Sequence, residues 1–180
     1  MDSWTLLDRL HEGHFRVFDI FRQRMKSPES GSAHDFFVLD APDWVNVIPL
    51  TPDNQVVCVR QYRAGTNTVT LEIPGGMIDP EDPTPTAAAA REMREETGYL
   101  ADRYEYLGVV APNPAIQSNR CHTICAIDAY RDGPQNLEGS EVIDVELVDL
   151  SDIPSLITTG RITHSLVIAA FYLLDNTESK

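Results

Sequence analysis

The chain has 180 residues, the length of one ordinary domain with a small appendage. Hydrophobic residues make up 42% and charged residues 23% of the chain, a globular composition that excludes disordered and fibrous proteins. Against 14 Lys and Arg stand 28 Asp and Glu, and the net charge of -14 disfavours contact with nucleic acid or anionic membrane. Any phosphate that the protein handles must therefore be met locally, by a few arginines or by metal.

The predicted elements begin with a strand over residues 15–24, where apolar and polar residues alternate. A loop over 27–34 and a short strand over 36–39 follow, which gives a β-rich N-terminal segment at 1–42 and a second domain at 43–180. Further strands are predicted at 45–50, 56–60, 69–73, 104–110, 122–129 and 142–148. Strands and helices are interleaved without strict βαβ alternation, which predicts the α/β class with a mixed sheet between helices.

Two helices are predicted. The first is capped by Thr84, has Pro85 in its first turn and ends at Gly98, and the second covers about 163–174. Three cysteines without a zinc spacing, charges that interrupt any signal peptide and an apolar run too short for a bilayer predict a cytoplasmic protein with no membrane contact.

An acidic face on the first helix is the most informative feature. Glu92, Glu95 and Glu96 fall within an arc of about 100°. Their mutual repulsion costs a few tenths of a kcal/mol per pair, so the face is either solvated and eased by Arg91 or serves a ligand. The turn Pro74-Gly75-Gly76 precedes the helix, and clustered oxygen ligands beside a backbone turn suit Mg²⁺.

The stretch from Gly76 through Arg91-Glu92-Met93-x-Glu95-Glu96-x-Gly98-Tyr99 resembles the Nudix box, whose pattern is Gx5Ex7REUxEExGU. The chain departs from this pattern at Asp82, which replaces the first Glu and is separated from Arg91 by eight residues instead of seven. That acidic position usually supports the arginine of the box. Residues 43–50, 59–76 and 160–174, together with Pro114, resemble the branch of Nudix hydrolases that cleaves ADP-ribose and nucleotide sugars.

The resemblance implies a Nudix fold with a small N-terminal β subdomain and a Mg²⁺ site in which Mn²⁺ can substitute. It implies metal ligands at Glu92, Glu95, Glu96 and the Gly75 carbonyl. Arg91 would orient Glu95 or Glu96 from behind the metal site, or simply form an ion pair with Glu95. Relatives often dimerise through the N-terminal segment, so a homodimer is expected.

A general base is harder to assign. Many members of this branch carry a glutamate in the loop after the box, but the corresponding loop, 112–122, contains no carboxylate. Glu141, directly before a predicted strand, is the next candidate, and Glu138 lies in the same loop. The alternatives are that both are solvated surface residues, that Glu95 serves, or that metal alone activates the water.

For substrate binding, Arg60, Arg63 and Glu72 lie on the stretch that leads into the box. Arg63 could hold a phosphate, and Glu72 could accept from a ribose hydroxyl or bind metal indirectly. Asn119 and Arg120 would join them if the 112–122 loop covers the site. A lone histidine is more often structural, so His122 and His164 receive no catalytic role.

The favoured function is Mg²⁺-dependent hydrolysis of the diphosphate in ADP-ribose or a related nucleoside diphosphate sugar, giving a nucleoside monophosphate and a sugar phosphate. Cleavage of dinucleoside polyphosphates or RNA 5′ ends is an alternative, although the acidic charge disfavours RNA. A catalytically idle domain that senses ADP-ribose is another alternative, and the intact box disfavours it.

Overall fold

Residues 2–137, 139 and 141–177 are described by the computed structural model, and they separate into two units. The first unit runs to Asp43 and also includes Ala111–Arg120, and the second contains Trp44–Val110 and the part from Cys121 onward. The sequence predicts 111–120 as part of the second domain. The segment joins the first unit because Leu39 N donates to Ile116 O at 2.7 Å and Ser118 N donates to Leu39 O at 3.1 Å.

The first unit is built on an antiparallel sheet with the order β1-β2-β3. Its strands are β1 (Thr5–Phe15), β2 (Phe18–Lys26) and β3 (Ala33–Asp40). The predicted strand over 15–24 is wrong at its start, because the chain turns at Arg16, whose φ is 36°. The preceding strand β1 was not predicted, since register shifts around Leu7 and Glu12 interrupt the alternation of apolar and polar residues.

The second unit carries the remaining elements. Its strands are β4 (Trp44–Leu50), β5 (Gln55–Arg63), β6 (Thr68–Glu72), β7 (Gly75–Met77), β8 (Tyr99–Leu100), β9 (Arg103–Val110), β10 (Cys121–Ile127), β11 (Tyr130–Arg131) and β12 (Ile143–Asp149). Its helices are α1 (Pro85–Thr97), α2 (Ile153–Thr158) and α3 (Ser165–Thr177), with a 3-10 turn at Leu150–Asp152 before α2. Helix α2 is not predicted from the sequence, because its six residues are too few to show apolar side chains recurring at helical spacing.

The main sheet has seven strands and follows the order β12-β5-β4-β10-β9. β10 runs parallel to β4, whereas β9 and β12 pair antiparallel with their neighbours, so the sheet is mixed as predicted. β4 and β5 pair at Leu50 and Val56, and farther along β6 pairs with β5 while β7 pairs with β4. The turn between β6 and β7 therefore leads directly from the middle of the sheet toward α1.

Two apolar clusters lie on the two faces of this sheet. One contains Val45 and Val47 of β4 together with Met93 of α1, and the other contains Ile48 of β4 together with Phe171 of α3. Successive strand residues point to opposite faces, so β4 serves both clusters. The sheet is consequently packed between α1 and α3, and the predicted α/β fold is confirmed.

Helix α1 begins and ends where the sequence predicts. Thr84 Oγ1 accepts a hydrogen bond from Ala87 N at 3.2 Å, and Pro85 occupies the first turn. Gly98 ends the helix with φ 72°, a left-handed conformation that favours glycine. Met93 and Thr97 are buried, which turns the acidic face of the helix toward β7. Among the described residues, no helix is long and apolar enough to cross a membrane.

Candidate functional site

The acidic face of α1 lies against the glycine turn that leads into β7. Glu96 is 5% exposed, and its Oε2 accepts a hydrogen bond from Gly75 N at 2.9 Å. A Cβ atom on Gly76 would stand 2.4 Å from Glu92 Oε1, so glycine at this position allows the backbone to approach the carboxylate. The structure thus brings Gly75, Glu92 and Glu96 together.

Burial and neighbouring negative charges raise the pKa values of Glu92 and Glu96, which are called the acidic pair below. Burial raises the pKa of Glu92 to about 7 against the opposing effect of Arg91, and the charges of Glu95 and Glu141 add to the rise. Burial raises the pKa of Glu96 to about 8, where the Gly75 N–H opposes the shift and the charges of Glu92 and Glu141 increase it. The buried Glu96 and the partly buried Glu92 are adjacent carboxylates with raised pKa values, and such a pair favours a bound cation.

A divalent cation fits this donor set. Carboxylate and backbone carbonyl oxygens are the hard ligands that Mg²⁺ and Mn²⁺ take, and Glu92, Glu96 and Gly75 supply both kinds. In the described part of the chain, no group of three acidic, histidine or cysteine side chains is already arranged to hold a metal. Arg91 Nη1 instead donates to Glu92 at 2.9 Å and to Glu95 at 3.1 Å, so a bound cation must compete with Arg91 for these carboxylates.

We predict a pH-dependent stabilisation by Mg²⁺. Because the folded-state pKa values of Glu92 and Glu96 are raised, the folded protein binds more protons than the unfolded chain, and the metal-free protein should lose stability between about pH 5 and pH 8. Mg²⁺ should therefore raise the melting temperature more at pH 8 than at pH 5.5. Thermal unfolding with Mg²⁺ and with EDTA measures the difference, and a shift that is equal at both pH values would contradict it.

Arg91 is fixed by a set of acceptors around its guanidinium. Its Nη2 donates to Asp82 Oδ2 at 2.8 Å and to Met77 O at 3.1 Å, and its Nε donates to Asp82 Oδ1 at 3.3 Å. Asp82 therefore supports the arginine of the box despite the longer spacing. A turn closed by Asp79, whose N donates to Asp82 Oδ2 at 3.0 Å, holds the aspartate in place. The hydrogen bond from Arg91 holds the pKa of Asp82 below its usual range.

Glu141 is exposed and lies two residues before β12. Its charge raises the pKa values of Glu92 and Glu96, so it stands within electrostatic reach of both. Glu138, the other glutamate of this loop, lies outside the described residues. The role of Glu141 as general base stays a prediction.

A side chain that the sequence analysis missed ties this loop to α1. Gln135 Nε2 donates to Glu96 O at 2.6 Å and to Ile143 O at 3.0 Å, so one amide group links the end of α1 to the start of β12. The backbone N of Asn136 donates to Glu95 O at 2.8 Å. An amide in a Gly-Pro-Gln-Asn stretch is typical of any loop, so no sequence signal pointed to this contact.

Arg63 and Glu72 form a second cluster beside the acidic pair. Glu72 is 2% exposed and accepts from Arg63 Nε at 2.9 Å, Arg63 Nη2 at 2.7 Å, Thr70 Oγ1 at 2.6 Å and His164 Nδ1 at 2.8 Å. Burial opposes the ionisation of Glu72, but these hydrogen bonds outweigh it and hold the pKa of the carboxyl well below its usual range. Glu72 has the largest effect on Arg63 and raises the pKa of its guanidinium, and the charges of Glu96 and Glu141 add to the rise. Arg63 therefore lies within electrostatic reach of both of these carboxylates.

Arg60 belongs to β5, and Asn119 and Arg120 belong to the first unit. Arg60 and Arg63 are three residues apart on the regular strand β5, so their side chains leave opposite faces of it. Asn119 and Arg120 belong to the first unit, where Asn119 Nδ2 donates to Pro42 O at 3.2 Å and Arg120 N donates to Asp43 Oδ1 at 2.7 Å. The roles of all three in substrate binding stay predictions.

Comparison with known proteins identifies the family of this chain. The model of the NUDIX domain matches residues 42–171, most of the chain, and the chain therefore belongs to the Nudix family. It is a Nudix hydrolase. It is 34% identical to the methanol dehydrogenase activator of Bacillus methanolicus over 135 residues, which are 73% of this chain and 72% of that protein. It is 24% identical to the ADP-ribose pyrophosphatase of Bacillus subtilis over 148 residues, 82% of this chain and 79% of that protein.

A solved structure of an ADP compounds hydrolase has the same fold. It superposes with a TM-score of 0.85 and 21% identity and covers 98% of this chain and 94% of its own. The predicted fold class and the predicted family are both confirmed.

Proposed function

We propose that this protein hydrolyses the diphosphate of ADP-ribose or of a related nucleoside diphosphate sugar, and that Mg²⁺ is required. One observation carries the proposal most directly: the carboxylates of Glu92 and Glu96 lie beside the Gly75–Gly76 turn, and Glu96 is within electrostatic reach of Arg63. This arrangement offers negative charge to a cation and positive charge to a phosphate at adjacent positions. The relatives named ADP-ribose pyrophosphatase and ADP compounds hydrolase support the same substrate class.

In this proposal, Glu92, Glu95, Glu96 and the Gly75 carbonyl hold Mg²⁺. Bound there, the cation would neutralise the diphosphate, polarise a phosphoryl oxygen and activate a water. Arg91, fixed by Asp82, orients Glu95. Arg63 binds the diphosphate while Glu72 holds its Nε and Nη2 edge, and Glu141 takes the proton from the attacking water.

The reaction adds the oxygen of water to one phosphorus and breaks the bridging P–O bond. The products are a nucleoside monophosphate and a sugar phosphate, and the proton taken up by Glu141 leaves with solvent. The net charge of -14 makes the cation and Arg63 important, because the rest of the protein repels an anionic substrate.

A substrate panel tests this function. ADP-ribose, ADP-glucose, GDP-mannose, UDP-glucose and diadenosine polyphosphates are incubated with the protein and Mg²⁺. Added phosphatase releases phosphate from the monoester products but not from the intact diphosphates. We expect the highest kcat/KM with an ADP sugar and no activity in EDTA. Preference for a diadenosine polyphosphate would favour the alternative enzyme function, and binding of ADP-ribose without turnover would favour a sensor.

We also propose that the protein is a homodimer that associates through the sheet of the first unit. This sheet exposes large apolar side chains, among them Leu10 and Phe37, which are 46% and 58% exposed. Both lie beside Arg22 in register, so they share one face of the sheet. Arg22 lies between them and is paired with Glu12 and Asp35, and exposed apolar side chains among polar ones are typical of protein–protein interaction sites.

Light scattering after size-exclusion chromatography tests the dimer. Wild type should elute with about twice the chain mass of 20.1 kDa, and the double variant Leu10→Glu with Phe37→Glu should elute as a monomer. Val69→Glu, at an equally exposed apolar position of the second unit, is the matched control and should leave the mass unchanged. A wild-type protein of single-chain mass would contradict the proposal.

A further inference from the structure

The hydrogen bond between His164 and Glu72 joins two distant parts of the second unit. Glu72 is the last residue of β6 and lies just before the glycine turn of the acidic site. His164 directly precedes α3, and its carbonyl accepts from Ile168 N at 3.1 Å in the first turn of that helix. The Nδ1–Oε2 contact of 2.8 Å therefore connects the start of α3 to the strand that leads into the site.

The position of the proton in this contact follows from the other partners of Glu72. The carboxyl group is ionised, so its two oxygens can only accept. Nδ1 of His164 must consequently be the donor in the 2.8 Å contact. Arg63, Thr70 and His164 together donate four hydrogen bonds, two to each oxygen, which matches the accepting capacity of a carboxylate.

Removal of the donor on His164 would leave Oε2 of Glu72 with one hydrogen bond instead of two. Oε2 of Glu72 would keep the bond from Arg63 Nη2, but a second acceptor position would stay unfilled at a side chain that is 2% exposed. An unsatisfied buried acceptor is costly, so the carboxylate is expected to rotate or to admit water. Either change disturbs the two parallel hydrogen bonds that fix the plane of the Arg63 guanidinium.

We propose that His164 is a positioning residue for substrate binding: through Glu72 it holds Arg63 in the orientation that meets the diphosphate. The inference rests on the proposed function in taking a diphosphate as the ligand of Arg63. His164 itself does not contact the reacting atoms in this role. Its effect passes through one carboxylate to one guanidinium, which distinguishes it from a residue that merely anchors α3.

Three substitutions separate these roles. His164→Leu removes the donor at similar size, and His164→Asn restores a donor because Asn Nδ2 lies near the position of His Nδ1. Val167→Ala, in the buried face of α3, weakens the packing of the helix without touching Glu72. His164→Leu removes a hydrogen bond to the charged carboxylate of Glu72. We therefore expect this variant to raise KM for the diphosphate substrate about tenfold and to change kcat less than about threefold.

His164→Asn should return KM to within about threefold of wild type, and Val167→Ala should lower the melting temperature without changing KM. His164→Gln places its donor one bond farther out and should behave like the leucine variant, which keeps the test open if His164→Leu does not fold. The proposal is overturned if Val167→Ala raises KM as much as His164→Leu, or if His164→Asn gives no rescue.

A readout without substrate separates this inference from the proposed function. The Nε–Hε resonance of Arg63, assigned by its loss in Arg63→Lys, should exchange slowly with solvent in wild type because Glu72 accepts its hydrogen at 2.9 Å. His164→Leu should shift this resonance and accelerate its exchange, and His164→Asn should restore both. If the resonance responds but no diphosphate is hydrolysed, the proposed function fails while the positioning of Arg63 stands. An unchanged resonance in His164→Leu overturns the positioning itself.

Discussion

Glu96→Gln is expected to lower turnover at least about a hundredfold, because the substitution removes the buried carboxylate among those proposed to hold Mg²⁺. The amide oxygen of glutamine can still accept the hydrogen bond that Glu96 Oε2 now receives from Gly75 N. The contact between α1 and the glycine turn should therefore survive. Loss of activity in this variant would report on charge rather than on misfolding.

The same variant should be at least as stable as wild type in the absence of metal. Burial and the neighbouring charge of Glu92 raise the pKa of Glu96 to about 8, which means that the ionised form is unfavourable in the folded protein. A neutral side chain removes this cost at neutral pH. Mg²⁺ should then raise the melting temperature of Glu96→Gln less than that of wild type.

The measurement is kcat with ADP-ribose at saturating Mg²⁺, together with thermal unfolding by circular dichroism. Glu105→Gln, which removes one exposed glutamate charge from β9, is the matched control and should keep the wild-type rate. A Glu96→Gln variant that keeps the full rate would refute the metal assignment. A variant that unfolds would show that Glu96 is structural.

The features that the sequence predicted correctly are those encoded within a few residues. Thr84, Pro85 and Gly98 define the ends of α1 through local backbone geometry, and the spacing of Glu92 and Glu96 places both carboxylates on one side of the helix. The apolar runs that form the central strands are likewise local. They located most strands of the main sheet to within a few residues.

The features that the sequence did not predict depend on contacts between distant segments or on irregular backbone. β1 was not predicted because its two register shifts interrupt the alternation of apolar and polar residues on which strand prediction relies. Segment 111–120 joins the first unit through backbone hydrogen bonds to Leu39, which leave no trace in side-chain type. The pairing of Asp82 with Arg91 required knowledge of how a turn absorbs the extra residue in the loop.

The second cluster shows the same limit at the level of function. The sequence pointed to Arg63 and Glu72 as substrate contacts, but not to their pairing with each other. His164 looked like an ordinary structural histidine because its partner, Glu72, lies 92 positions earlier in the chain. An acidic side chain surrounded by donors can be recognised in the folded protein, whereas the sequence does not tell which donors will converge on it.

The general base is the remaining assignment on which the chemistry depends. Glu141 is exposed, and its charge acts on Glu92, Glu96 and Arg63, so it lies within electrostatic reach of the proposed ligands of the metal and the diphosphate. The glutamate that many relatives carry in the loop after the box has no counterpart in 112–122. Gln135 links the end of α1 to Ile143, two residues after Glu141, and so restrains the start of the strand that follows Glu141.

We therefore predict that Glu141→Gln turns over on the order of a hundredfold more slowly than wild type, the usual range for a positioned base. KM and the stabilisation by Mg²⁺ should stay near their wild-type values, since the residue is not proposed to hold the cation or the diphosphate. Glu146→Gln, on the strand β12 that follows Glu141, controls for the loss of one negative charge and should leave kcat unchanged. If Glu141→Gln keeps more than about half of the wild-type rate at saturating Mg²⁺, Glu141 is not the base and Glu95 becomes the next residue to substitute.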